Sequence, residues 1–161
     1  MLDIFDILGP VMVGPSSSHT AGAVRIGRRA RTLLGGQPVR AEIGLHGSFA
    51  ETGQGHGTDK ALVAGLLGMK PDDLDIPRSF ELAAERGLQF EFRTVQLREA
   101  HPNTAVLTVE DEAGKRMKVQ AASTGGRTLA CCGLRNEVLV SARKRRRKRR
   151  KRERNFYVGY F

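Results

Sequence analysis

Hydroxyl groups and a histidine crowd into one short stretch of the sequence, residues 14–20, which reads GPSSSHT. The stretch stands where a loop enters the first predicted helix, and backbone N–H groups together with hydroxyls at a helix N-terminus favour a carboxylate or a phosphate. Simple capping of the helix is the structural alternative, and the histidine inserted among the hydroxyls favours binding instead. The candidate ligand-binding side chains are Ser16, Ser17, Ser18, His19 and Thr20.

A second histidine lies between two glycines in residues 53–59, GQGHGTD, where a second helix is predicted to begin. Glycine on each side of His56 lets the backbone come close to a ligand. The positive end of the following helix disfavours imidazolium, which lowers the pKa of the ring and keeps it in the neutral form that a general base requires. Asp59 could cap the helix or orient the imidazole. The structural alternative is a surface turn with an incidental histidine.

The other two histidines also fall at the boundaries of predicted loops. His101 opens the stretch HPNT between two strands, where Asn103 could help to form a binding rim, although a Pro-Asn turn with a surface histidine is the commoner explanation. His46 ends the first predicted strand. The sequence has no HExxH, GxSxG or Walker lysine motif, which excludes the usual zinc-protease, α/β-hydrolase and P-loop chemistries.

Three helices and four strands are predicted to position these residues. The first helix has apolar residues at helical spacing between residues 23 and 34, the hydroxyl cluster as N-cap, and Gly35 as its stop. The second has Thr58 or Asp59 as its N-cap and ends at Gly68, and the third spans about residues 77–86. Strands are predicted at residues 39–45, 89–97, 104–110 and 116–122, the last two as a hairpin. This order indicates an α+β fold, helices packed on a mostly antiparallel sheet.

The net charge of +10 over 161 residues suggests, as an average, a polyanionic partner. Residues 143–154 (RKRRRKRRKRER) alone hold 11 basic residues and one acidic residue, whereas the other 149 residues carry 16 basic and 16 acidic groups. The predicted folded part therefore has no electrostatic footprint for nucleic acid, and specific nucleic-acid binding is disfavoured. The basic run is predicted to be a disordered tail.

Two further features bear on location and on metal binding. No apolar run approaches the roughly 20 residues of a membrane span, and acidic residues occupy the N-terminus where a signal peptide needs basic ones, so we expect a cytoplasmic protein with no membrane partner. The two cysteines, Cys131 and Cys132, are adjacent and lack the second pair of a Cys₄ site. We therefore expect no metal bound by this chain alone.

Three segments in order, FDILGPVMVGPSSSHTAGAVRIGRRAR, HGSFAETGQGHGTDKALVAGLLG and HPNTA, resemble the β domain of bacterial iron-sulfur L-serine dehydratases over about residues 3–126. The resemblance implies an ammonia-lyase that converts L-serine to pyruvate and ammonia without pyridoxal phosphate. In that family a 4Fe-4S cluster acts as the Lewis acid. Its cysteine ligands belong to a catalytic α domain, on a separate α subunit where the β part is encoded alone.

The resemblance also suggests a role for each candidate residue. His56 matches the proposed proton-abstracting base of the family. The residues from Ser16 to Thr20 match the loop that faces the substrate, and Thr58 is expected to contact the substrate as well. The supporting residues are expected to be Asp59, His46, His101 and Asn103.

The sequence leaves the family pattern near residue 125, which divides the chain into a β-type domain at residues 1–126, an atypical segment at 127–142 and a basic tail at 143–161. A serine-triglycine turn, a strand and a regulatory ACT domain are expected, but the chain reads STGGR from Ser123 onward and ends in the basic run. We hypothesise a frameshift or truncation here, which resequencing tests. Residues 129–139 are predicted to replace the last strand.

Two functions of other classes stay open beside the enzyme. One is a non-catalytic serine-binding or regulatory module, or an inactive truncated β domain. The other takes the basic tail as a nucleic-acid-binding arm, which the absence of interleaved aromatic residues disfavours.

Overall fold

The computed structural model describes residues 17–53, 57–124, 129–138 and 159–160. A π-helical turn, Ser17–Ala21, leads into helix α1 (Gly22–Leu34). The other helices are α2 (Ser48–Glu51), α3 (Thr58–Leu66), a short 3₁₀ helix (Ile76–Arg78) and α4 (Ser79–Glu85). The strands are β1 (Arg40–Leu45), β2 (Gln89–Thr94), β3 (Thr104–Glu110), β4 (Lys115–Ser123), β5 (Leu129–Val138) and β6 (Gly159–Tyr160).

The six described strands form one sheet in the order β2-β1-β3-β4-β5-β6. Strands β1 and β2 are parallel, because the helices α2 to α4 form the crossover between them, and the other pairs are antiparallel. The β3–β4 hairpin turns at Gly114, whose φ of 80° suits glycine. The predicted α+β fold with a mostly antiparallel sheet is therefore confirmed.

Alternation along the three central strands separates a helix-covered face of the sheet from an open one. The covered face carries small and branched apolar residues: Ala41, Ile43 and Leu45 in β1, Ala105, Leu107 and Val109 in β3, and Met117, Val119 and Ala121 in β4. On the open face the carboxylate of Glu42 lies 2.9 Å from Arg116 Nη2 and 3.5 Å from Arg93 Nη2. The core thus lies between the covered face and helices α1 and α3.

Helices α1 and α3 touch through their backbones at Gly27 and Gly65. A Cβ atom on Gly27 would lie 2.3 Å from Leu62 O, and one on Gly65 would lie 2.2 Å from Val24 O. Further along, Arg31 donates to Leu66 O at 3.3 Å, and the turn Ser17–Ala21 contacts α3. The two helices therefore run in the same direction, with their N-termini at the same end.

The structure corrects several predicted boundaries. The third helix is split into the 3₁₀ turn and α4, with Pro77 inside the 3₁₀ turn. Strand β2 ends at Thr94 instead of residue 97, because β1, its only partner among the described strands, ends at Leu45. Residues 48–51, predicted as loop, form helix α2. Strand β5 (Leu129–Val138) pairs with β4, as predicted for residues 129–139.

The predicted N-caps have different outcomes. The turn Ser17–Ala21 runs directly into α1, so Thr20 lies inside the helical stretch and not before it, whereas Ser16 lies outside the described residues. Gly57 precedes α3 with a φ of 69°, so Thr58 and Asp59 fall in the first helical turn. The predicted Gly35 stop of α1 is confirmed, with a φ of 95°. In α3 the reason for the correction is that Gly57, in the left-handed conformation, is the residue before the helix.

We predict that Gly65→Ala destabilises the protein by about 3 kcal/mol, because the new methyl group can only fit if the two helix backbones separate. The measurement is the free energy of unfolding in urea. Gly36→Ala is the matched control, since a Cβ atom there meets nothing within 4 Å. Equal unfolding free energies for Gly65→Ala and the parent protein would contradict the packing described above.

Candidate functional site

Residues from several separate segments meet at one edge of the sheet, where β1 ends and β3 begins; we call it the exit edge. Leu45 pairs with Ala105 there, and the backbone N–H of His46 donates to Thr104 O at 3.0 Å. The N-termini of α1 and α3 lie at this end, since α1 leads into the start of β1 and α3 follows its end. Partial positive charge from both helices is thus directed to the exit edge, which favours an anion.

His19 reaches the exit edge from the turn before α1. Its Nε2 atom lies 3.0 Å from Ser48 Oγ in α2. Its ring makes an edge contact with the buried Phe49 ring, with centroids 5.6 Å apart and an interplanar angle of 62°. The Phe49 N–H lies 3.2 Å from His46 O and 3.4 Å from Pro102 O. The structure thereby joins the GPSSSHT, HGSFAE and HPNT segments at one place.

His46 is held by the chain that follows β2. Its Nδ1 atom lies 3.2 Å from Val95 O and 3.3 Å from the Leu97 nitrogen. A neutral ring nitrogen either donates or accepts, so only one of these contacts is a hydrogen bond in a given tautomer. The half-buried ring is in any case fixed at the exit edge by local backbone groups.

His101 is bonded within its own turn, and Asn103 is bonded both to that turn and to the end of β4. The Asn103 N–H donates to His101 Nδ1 at 3.0 Å, and Asn103 O accepts from the Ser123 N–H at 2.9 Å. His101 is exposed, and its carbonyl accepts from Thr104 Oγ1 at 2.6 Å. These contacts explain the turn; a supporting role toward a ligand stays a prediction for both residues.

Thr58 carries the one buried side-chain oxygen or nitrogen without a hydrogen-bond partner among the residues that the structure describes. The residue is fully buried in the first turn of α3, and the unpaired atom is Oγ1. Leaving a buried hydroxyl without a partner costs about 1–3 kcal/mol. A bound group that accepts a hydrogen bond would give Thr58 Oγ1 a partner. The positive end of α3, where this hydroxyl lies, favours a group with negative charge.

Two of the predicted site residues, Ser16 and His56, lie outside the described residues, and so do the side chains of Ser17 and Ser18. The described neighbours of His56 are Gly53 and Gly57, and the Asp59 N–H lies 3.4 Å from Gly53 O. Asp59 Oδ1 accepts from the Lys60 N–H at 2.7 Å. Thr20 is buried. The roles assigned to these residues stay predictions.

Ser48 and Phe49 are the contact residues that sequence reasoning missed. Residues 46–57 were predicted to be one glycine-rich loop, which hid the short helix α2. The pattern of Ser48 followed three residues later by Glu51 is typical of a helix start and could have revealed it. In the structure Gly47 precedes this helix, and the Ser48 hydroxyl contacts His19 instead of capping it.

The described residues do not fit a 4Fe-4S cluster. Within the described ranges there is no group of three or more His, Cys, Asp or Glu side chains that could hold a metal ion. Even with one iron left open to act as the Lewis acid, such a cluster takes three thiolates, whereas this chain has only Cys131 and Cys132, adjacent in β5. In the same part of the chain, no helix is long and apolar enough to cross a membrane.

Comparison with known proteins identifies the family. The family model described as "Serine dehydratase beta chain" matches residues 1–86, which include α1, β1 and α3. The chain belongs to the serine dehydratase beta chain family. The resemblance inferred from the three sequence segments is thus confirmed.

The relatives of this beta-chain family member are all named as L-serine dehydratases or as their beta chains. "Probable L-serine dehydratase, beta chain" of Bacillus subtilis (strain 168) is 50% identical over 123 residues, 76% of this chain and 56% of that protein. "L-serine dehydratase, beta chain" of Peptoniphilus asaccharolyticus is 47% identical over 123 residues, 76% of this chain and 55% of its own length. "L-serine dehydratase 2" of Escherichia coli (strain K12) is 42% identical over 82 residues, 47% of this chain and 18% of that protein. The chain thus spans little more than half the length of the two beta chains it matches.

We predict that Thr58→Val leaves the free energy of unfolding unchanged or raises it by up to about 1 kcal/mol, because it removes a buried hydroxyl that has no partner. The measurement is urea unfolding of the chain without ligand. Thr104→Val is the matched control: that threonine is equally buried, but its hydroxyl donates to His101 O, and its loss should destabilise by about 1–3 kcal/mol. Equal destabilisation by both substitutions would show that Thr58 has a partner in the free chain.

Proposed function

We propose that this chain is the β component of an L-serine ammonia-lyase, which converts L-serine to pyruvate and ammonia in the cytoplasm together with an α subunit. The observation that carries the proposal is the buried, unpartnered Thr58 hydroxyl at the N-terminus of α3, at the exit edge with His19. Family membership gives the substrate class, because the related beta chains are named for L-serine dehydratase.

The exit edge supplies what a serine carboxylate requires. Two helix N-termini direct partial positive charge to it, and Thr58 offers a hydroxyl with a proton to donate. A charge-assisted hydrogen bond from a buried hydroxyl to a carboxylate is shorter and stronger than a neutral one. In our proposal the Ser16–Thr20 loop completes the pocket around the carboxylate, and Asp59, His46, His101 and Asn103 support it.

His56 is our candidate for the base that removes the Cα proton of serine. It follows Gly53 and precedes Gly57, directly before α3. The positive end of that helix favours the neutral imidazole, which can accept a proton. Loss of the substrate hydroxyl group as water then gives aminoacrylate, which tautomerises and hydrolyses to pyruvate and ammonia. No pyridoxal phosphate is needed in this scheme.

An α subunit is required because the described residues of this chain do not fit the 4Fe-4S cluster. We therefore place the cluster ligands on that partner. The match to the E. coli L-serine dehydratase covers only 18% of that protein, so most of the relative's chain lies outside the part that resembles this one. The exit edge, which lacks its own metal ligands among the described residues, is where we expect the α subunit to face this chain.

We predict that anaerobic co-expression with an α subunit yields a complex that produces pyruvate from L-serine, and that His56→Ala lowers turnover by about 10²–10⁴-fold, the contribution of a general base. Turnover is measured by the pyruvate formed, and the iron content of each complex is the control for cluster loading. Retained turnover in His56→Ala would show that another group is the base. Serine binding without pyruvate from the parent complex would favour the non-catalytic module.

We further predict that Thr58→Val in the same complex lowers kcat/KM for serine by about 10- to 100-fold, since one hydrogen bond to a charged group is worth about 1.5–3 kcal/mol. Thr32→Val is the matched control, because Thr32 is exposed near the far end of α1 and its hydroxyl bonds only to Arg28 O at 2.9 Å. Unchanged kcat/KM in Thr58→Val would remove this hydroxyl from the proposed pocket.

A further inference from the structure

The contact between Ser48 and His19 links two segments that are 29 residues apart in sequence, and both side chains are partly buried. We propose that Ser48 is a positioning residue that holds the His19 ring in one orientation at the exit edge. The inference deepens the proposed function, because it assigns a task to a residue of the same site.

Ser48 can hold the ring because its own position is fixed by the backbone of α2. The N–H groups of Ala50 and Glu51 both donate to Gly47 O, at 2.9 and 3.0 Å. Gly47 has a φ of 55°, and a Cβ atom on it would lie 2.8 Å from both the Cα and the O atom of Pro102. The start of α2 is thus pressed against the turn before β3. The backbone of Ser48 is therefore held in place, with its Oγ atom 3.0 Å from His19 Nε2.

The ring of His19 is held on two sides. Ser48 Oγ engages Nε2 at 3.0 Å, and the buried Phe49 ring contacts the imidazole by its edge. The serine hydroxyl can donate to Nε2 or accept from it, and in either case the contact occupies Nε2. Any further hydrogen bond that the ring makes, to the protein or to a ligand, must therefore use Nδ1.

The expected effect of losing this contact is modest, because Ser48 acts through His19. A hydrogen bond of this kind is worth enough to change an equilibrium by about 2- to 10-fold. Ser48→Ala should therefore reduce kcat/KM by about that factor. A residue that merely filled space would affect stability instead, so the decisive readout is the state of the His19 ring.

The test uses ¹⁵N-histidine labelling of the full chain, which has only four histidines, with His19 assigned through a His19→Gln variant. We expect the same Nε2 signal for His19 in the parent chain and in Ser48→Thr, which keeps the hydroxyl. In Ser48→Ala we expect the Nε2 signal to shift, because that nitrogen loses its hydrogen bond. Thr52→Val is the matched control, because its hydroxyl bonds to Ser48 O at 2.6 Å on the same short helix.

Unchanged His19 signals in Ser48→Ala, or an equal change in Thr52→Val, would overturn the proposal. In the complex with the α subunit, kcat/KM should fall in Ser48→Ala and recover in Ser48→Thr; full activity of Ser48→Ala would show that the ring orientation does not matter to the reaction. If the parent complex makes no pyruvate, the proposed function fails while the ring-nitrogen signals still decide the role of Ser48.

Discussion

The backbone contact between α1 and α3 at Gly27 and Gly65 sets the geometry of this protein. It brings the two helices so close that neither glycine has room for a side chain. Because the helices run in the same direction, their positive ends are brought to the same edge of the sheet. The turn Ser17–Ala21 can then contact α3, and His19 can reach α2. A wider separation of the helices would move the turn Ser17–Ala21 away from α3.

The sheet also brings separate segments to the exit edge. Strands β1 and β3 are antiparallel neighbours, so the end of one and the start of the other meet at the exit edge. His46 follows β1 and Pro102 precedes β3, and Phe49 contacts the backbone of both. The apolar face of the sheet packs on the helices and stabilises the domain, whereas the exit edge holds the buried Thr58 hydroxyl, which has no partner among the described residues. The unpaired Thr58 hydroxyl costs stability that the core offsets, as is common at binding sites.

The exit edge gathers hydroxyl and imidazole groups from segments that are distant in sequence, and the described residues include no set of metal ligands. The chain covers little more than half of the length of the related beta chains. The strongly basic residues 143–154 lie outside both the family match and the described residues, and the charge of the remaining chain is balanced.

The sequence by itself determined most element types and the α+β class, because helical spacing, strand alternation and the glycine stops are local properties, and three segments carried the resemblance to the family. It also made His19 and Thr58 candidates, since a histidine among hydroxyls and a threonine at a helix start are visible without a structure. Only the tertiary structure decided that Ser48 contacts His19, that Thr58 Oγ1 is buried and unpaired, and that His101 is bonded within its own turn. These facts depend on packing between residues far apart in sequence, which no local pattern records.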